Sequence, residues 1–128
     1  MSGGRPVLVV DDNPQNLKLA RLVLEGEGFD VRTASDAGEA LALLAHFTPH
    51  VILMDLQLPG MDGFELTRHV KASVATRGAL VIALTAYAMK GDEARARDAG
   101  CDGYIAKPID TRTLGLVIRD MLAAREQP

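Results

Sequence analysis

The chain has 128 residues, enough for one compact domain and too few for two. Apolar residues make up 48% and charged ones 24%, while aromatics reach only 4% with no Trp, so aliphatic side chains and Ala must build the core. The 14 Lys and Arg against 17 Asp and Glu leave a net charge of −3, which argues against a strongly basic nucleic-acid footprint. No apolar run approaches the ~20 residues that cross a bilayer. Met1 to Pro6 lack a secretory apolar stretch, and the single Cys101 cannot form an internal disulfide or a thiolate metal cage. A reduced, cytoplasmic setting is expected.

Short apolar runs alternate with amphipathic stretches along the chain. Val7 to Val10 is a β-branched run without alternation, the pattern of a strand buried on both faces, and it stops at Asp11-Asp12. Asn13-Pro14 reads as an N-cap followed by proline in the first helical turn, with Leu17, Ala20, Val23 and Leu24 as the apolar stripe and Gly26 and Gly28 closing the helix. Val31 to Ala34 predicts a more polar edge strand. Asp36 with Glu39 predicts a capping box ahead of Ala40, Leu41 and Leu44. Val51 to Met54 is wholly apolar, so central, and ends at Asp55. Leu80 to Leu84 repeats the pattern and ends at Thr85, and Tyr104 to Ala106 repeats it more weakly before Lys107-Pro108. A helix over Asp92–Ala99, rich in Ala and charge, should be weakly packed. The last helix carries Leu114, Val117, Ile118 and Met121 on one face and is expected to be capped by Asp110.

Five strand–helix alternations predict an α/β fold, a single parallel sheet with helices on both faces. In such a sheet ligands bind beyond the carboxyl ends of the strands. Asp11, Asp12, Asp55, Thr85 and Lys107 all fall at those ends. Three carboxylates brought together repel one another and call for a hard, oxygen-preferring cation such as Mg²⁺. A hydroxyl and an ammonium opposite them would match a phosphoryl group, whose transfer needs positioning and charge neutralisation.

The acid pair in Val9-Val10-Asp11-Asp12-Asn13, the segment Met54 to Gly63, the Leu84-Thr85-Ala86 step and Lys107-Pro108 occur in order, each after a predicted strand. In these parts the chain, from Val7 to about Leu122, resembles the response-regulator receiver domains of two-component signalling. The segment Ala86 to Ile109 is most similar to the receivers of hybrid histidine kinases and to DivK-like single-domain regulators. The resemblance implies a flavodoxin-like (βα)5 fold with strand order 2-1-3-4-5.

It also implies roles. Asp55 would accept a phosphoryl group from a histidine kinase or a histidine phosphotransfer protein. Asp12 and Asp55 would bind Mg²⁺ through carboxylates, Asp11 directly or through water, and Gln57 through its main-chain carbonyl. Lys107, the Thr85 hydroxyl and the main-chain N–H of Ala86 would meet the phosphoryl oxygens. Tyr104 matches the residue whose ring turns inward as Thr85 moves, with the Asp92–Ala99 helix between them as the moving part. The Lys107–Pro108 bond is expected to be cis. Gln57 and Tyr87 occupy positions that tune access of water, and a bulky Tyr87 would slow self-dephosphorylation.

Other polar residues read as structural: Asp36, Asp62 and Asp110 as caps, His46 and His50 as surface groups split by Pro49, Cys101 as a small packed residue, and Arg95, Arg97, Arg112, Arg119 and Arg125 as solvated helix faces or part of a partner surface. The short tail after Ala124 predicts a free-standing receiver without an output domain. It would be a monomer or weak homodimer that acts on a downstream protein, binds neither DNA nor membrane, and catalyses only its own phosphorylation and dephosphorylation. Three alternatives stand beside this: a receiver-like scaffold independent of phosphate, a fragment of a hybrid histidine kinase, and a haloacid-dehalogenase-type phosphatase. The last would use Asp11 as nucleophile with a second acid two residues on, where this chain has Asn13.

Overall fold

The apolar runs are buried on both faces, and this governs the architecture. The computed structural model of the protein describes residues 4–58, 60–85 and 91–126. Its elements are β1 (Pro6–Val10), α1 (Pro14–Gly26), β2 (Asp30–Ala34), α2 (Ala37–Leu44), β3 (Val51–Asp55), α3 (Gly63–Ala72), β4 (Leu80–Thr85), α4 (Asp92–Ala99), β5 (Gly103–Ala106) and α5 (Leu114–Glu126). All four strand pairings are parallel, in the order β2-β1-β3-β4-β5, as the family resemblance implied.

Strand side chains alternate between faces and so feed two cores. Val7, Val9, Val51, Leu53, Leu80, Ile82 and Leu84 pack with Ala20 and Leu24 of α1 and with Leu114, Ile118 and Leu122 of α5. Leu8, Val10, Ile52, Met54, Val81 and Ala83 pack on the other face with α2, α3 and α4. Because β1, β3 and β4 are covered on both sides, they carry no polar residue until their carboxyl ends.

The helix starts follow the local chemistry. Asn13 Oδ1 accepts the N–H groups of Gln15 and Asn16 at 2.9 and 3.4 Å, and Asp62 Oδ1 accepts that of Glu65 at 2.9 Å. Asp36 Oδ1 accepts the Glu39 N–H at 2.8 Å, but Glu39 reaches back to the N–H and hydroxyl of Ser35, each at 2.6 Å, one residue earlier than a capping box places it. These two bonds from Ser35 hold the Glu39 carboxyl below the usual range. Asp110 caps the turn that leads into α5, with the same pair of bonds that Asn13 makes at α1. Its side chain accepts the Arg112 N–H and closes a turn, while α5 begins at Leu114, whose N–H goes to the Asp110 carbonyl.

The light packing expected of α4 fits its buried residues, which are small. Ala96 and Ala99 are buried, and their small size lets the helix lie close to α3. Arg95 of α4 stacks on Phe64 of α3 with 4.3 Å from guanidinium carbon to ring centre. Lys71, near the end of α3, bonds the Asp102 carboxylate and the Ala79 carbonyl, both at 2.8 Å, and Asp102 also accepts the Val81 N–H. The other arginines expected on solvated faces are exposed, and each has a surface partner. Arg97 pairs with Glu93, Arg112 with Asp110, Arg125 with the Gly78 carbonyl, and Arg119 with Glu27 while lying over Phe29. Cys101 is buried against the Thr67 hydroxyl, a packed thiol as expected, and burial pushes its pKa up.

Gly63 sets how closely α3 approaches the end of β3. A Cβ there would lie 2.3 Å from the Asp55 carbonyl oxygen and 2.6 Å from Leu56 Cα, both backbone atoms that cannot swing aside. Gly63→Ala is therefore expected to destabilise the domain by about 2–3 kcal/mol through overpacking. Gly78→Ala, with open space around the added methyl, is the control. Urea midpoints for the two variants check this, and equal midpoints would show that the close approach is not required.

Candidate functional site

The carboxyl ends of the strands bring together the residues singled out in the sequence. Asp11 directly follows β1, Asp55 closes the neighbouring β3, Thr85 closes β4, and Lys107 directly follows β5. Asp11 is fully buried and Asp55 is 3% exposed, whereas Asp12 is exposed. One ligand oxygen from each of Asp11, Asp12 and Asp55 can be chosen so that all lie within 4.8 Å of one another.

Each buried acid is held in the same way by its own loop. Asp11 Oδ1 accepts the Asn13 N–H and Asp55 Oδ1 accepts the Gln57 N–H, both at 2.9 Å and both two residues on. The remaining oxygens are shared by one cation. Lys107 Nζ lies 2.8 Å from Asp11 Oδ2 and 3.2 Å from Asp55 Oδ2, with its side chain only 14% exposed. The Lys107 N–H donates to the Thr85 carbonyl at 2.7 Å, which fixes the start of that loop against β4. The Lys107–Pro108 peptide is cis, as expected.

The electrostatics follow from this crowding. Burial pushes the Asp55 carboxyl above the usual range, and the Asp11 charge adds to the effect. The Gln57 N–H and the Lys107 ammonium partly oppose it. Burial alone would lower the Lys107 ammonium, but its bonds and proximity to Asp11 and Asp55 win, so it is raised above its ordinary value. Lys107 offsets one of three clustered negative charges, so two remain formally unbalanced. Closely spaced carboxylate oxygens, one of them on an exposed side chain, with excess negative charge, are the donor set of a hard divalent cation such as Mg²⁺.

Tyr104 is half-buried and packs on the α2–α3–α4 side of the sheet. Gln57 is exposed, with its N–H turned to Asp55. Ala86 and Tyr87 lie outside the described residues. Asp36 and Asp62 are helix caps, and His46 and His50 are exposed, as the sequence implied. One residue was not foreseen. Asn16, in the first turn of α1, donates from Nδ2 to Asp11 Oδ2 at 3.3 Å. Its only mark in the sequence is a polar residue inside a helix's first turn, close after the acid pair.

A five-stranded parallel sheet with acids, a threonine and a lysine at its carboxyl edge defines an open α/β domain whose polar site lies where such sheets bind their ligands. Comparison with known proteins narrows this. The family model described as response regulator receiver domain matches residues 7–119. The polar-differentiation response regulators DivK of Brucella anthropi and Brucella ovis are each 45% identical over 105 residues, 82% of this chain and 85% of theirs. Among solved structures, a CheY-like response regulator receiver domain protein from Methanospirillum hungatei superposes with a TM-score of 0.89 at 33% identity, covering 97% of this chain and 98% of that one. The receiver domain of a Pseudomonas aeruginosa sensor histidine kinase, with a magnesium ion coordinated in its active site cleft, gives 0.85 at 32% identity, covering 94% and 99%. The chain belongs to the response regulator receiver domain family and is a DivK-like receiver of two-component signalling.

The raised Asp55 value has a consequence for stability. The native state binds a proton at Asp55 more readily than the unfolded chain, so the ionised group costs stability above its native pKa. That cost fades as pH falls through the native value and is gone below the ordinary carboxylate value near ~4. Without divalent ions, Asp55→Asn is expected to melt higher than wild type at pH 8, by roughly 4 °C for about 1 kcal/mol in a domain of this size. The gap should close on acidification. Melting curves from pH 8 to pH 4 check it, and a gap that widens as pH falls would contradict the assignment.

Proposed function

We propose that this chain is a phosphoacceptor regulator in which Asp55 takes a phosphoryl group from the phosphohistidine of a histidine kinase or phosphotransfer protein. The observation that carries the reading is the Asp11–Lys107–Asp55 bridge beside exposed Asp12, two uncompensated charges held at the carboxyl edge of the sheet. Asp11, Asp12 and Asp55, with the main-chain carbonyl of Gln57, would hold Mg²⁺, which when bound supplies charge neutralisation to the incoming phosphoryl oxygens.

The chain's own groups account for the rest. A carboxylate oxygen of Asp55 forms the new O–P bond as the N–P bond to the donor imidazole breaks, and the electron pair leaves with the imidazole. Lys107 already touches Asp55 Oδ2 and is placed to pair with the phosphoryl group, with Thr85 at the neighbouring strand end as a hydroxyl donor. Hydrolysis of the aspartyl phosphate returns Asp55, so the only reactions catalysed are on the chain itself.

The modification adds roughly −1.5 to −2 charge and three acceptor oxygens at one point. It can shift the domain between states only by stabilising one more than the other. Thr85, Tyr104 and α4 form the responding element in this reading, and the output is altered binding of a downstream protein in the cytoplasm.

Intact mass after incubation with acetyl phosphate tests the proposal. One phosphoryl adduct that requires Mg²⁺ and disappears in Asp55→Asn is expected. An adduct that survives in Asp55→Asn but is lost in Asp11→Asn would indicate the phosphatase-type arrangement. No adduct from acetyl phosphate or from a purified kinase would leave a scaffold independent of phosphate.

A further inference from the structure

We infer that Asn16 is a positioning residue that fixes the Asp11 carboxylate as a cation ligand while Lys107 is engaged elsewhere. The inference rests on the phosphoacceptor reading above and deepens it.

The two buried acids have matching local turns but unequal surroundings. Asp55 accepts one backbone N–H and one ammonium contact, whereas Asp11 accepts a backbone N–H on Oδ1 and two side-chain donors on Oδ2. The ammonium of Lys107 is shared between Oδ2 of both acids. If Asp55 becomes an acyl phosphate and Lys107 pairs with the phosphoryl oxygens, Asp11 Oδ2 loses its shorter contact. Asn16 is then the side-chain donor that stays, because it is anchored in the first turn of α1, where Asn13 also holds its backbone N–H.

The chemistry of the residue suits that task. A carboxylate with one oxygen held at 2.9 Å can still twist about its Cβ–Cγ bond, and a second donor on the other oxygen fixes the plane. An amide does so without adding positive charge, so the excess negative charge of the cluster is retained for the divalent ion. A lysine or arginine at the same place would compete with that ion, and an aliphatic side chain would leave Oδ2 to water once Lys107 moves. Partners that orient metal-binding carboxylates in this way typically contribute about tenfold or more to metal affinity.

The experiment follows Mg²⁺ binding by amide chemical shifts, and melting without Mg²⁺, for wild type, Asn16→Ala and Asn16→Gln. Alanine is a good helix former, so Asn16→Ala is expected to melt within about 2 °C of wild type. Its Mg²⁺ dissociation constant should rise about tenfold, whereas Asn16→Gln, which keeps the amide donor on a longer stem, should stay within about threefold. The rate of phosphorylation by acetyl phosphate in Asn16→Ala should fall most at limiting Mg²⁺ and recover as Mg²⁺ is raised, placing the loss in cation binding. Wild-type Mg²⁺ affinity in Asn16→Ala would overturn the inference, as would equal weakening in both variants, which would point to packing. Failure of the wild-type protein itself to bind Mg²⁺ would remove the phosphoacceptor reading instead.

Discussion

Lys107 reaches from beyond β5 across the end of β4 to touch carboxylates that belong to β1 and β3. Two buried carboxylates on adjacent strands would otherwise repel at the end of a sheet that excludes water from both faces, where a lone charge costs several kcal/mol. The bridge makes the arrangement tolerable without making it comfortable, as the raised Asp55 value records. A cluster fully neutralised by lysines would fold more easily and have little affinity for a divalent ion. The charge left over is what the rest of the site is organised around.

The scaffold presents that charge by giving the two cores different helices. α1 and α5 fill one side with large aliphatics, and α2, α3 and α4 fill the other, where α4 contributes only alanines. Small residues bury little apolar area, so α4 depends on long polar side chains whose stems and heads do the packing: Arg95 on Phe64, and Lys71 at Asp102. Polar contacts near the surface are exchanged at modest energetic cost. A helix held in this way suits a surface that must change between two states better than one seated on leucines.

How much of this was legible in the sequence depends on the range of each interaction. Strands and caps are local, and Val7 to Val10, Val51 to Met54, Asn13 and Asp62 declared themselves by run length and turn chemistry. The site acids were legible for the same reason, since each stands where a buried strand stops. Strand order came from family resemblance, because parallel pairing leaves no mark in a single chain. The arginines were legible as exposed, but their most distant partners were not, because those are set by the fold. Glu27 and Arg119 are 92 positions apart and Lys71 and Asp102 are 31, and no periodicity connects them. Asp110 was legible on the same local scale as Asn13, since both accept the N–H two residues on ahead of a helix.

In the proposed phosphoacceptor reading, the choice between the two buried acids also comes down to surroundings. Asp11 and Asp55 have the same i+2 backbone bond and share the same lysine, so local sequence treats them alike. Asp11 spends its second oxygen on two donors, whereas Asp55 Oδ2 has one, at the longer distance of 3.2 Å. A nucleophile needs an oxygen lone pair that is not already committed, and burial raises the Asp55 carboxyl above the usual range although Gln57 and Lys107 partly oppose it. The same asymmetry makes Asp11 the better fixed ligand. One acid is held to bind and the other is left able to react, a division of labour that lies in the neighbours each acid meets rather than in the acids themselves.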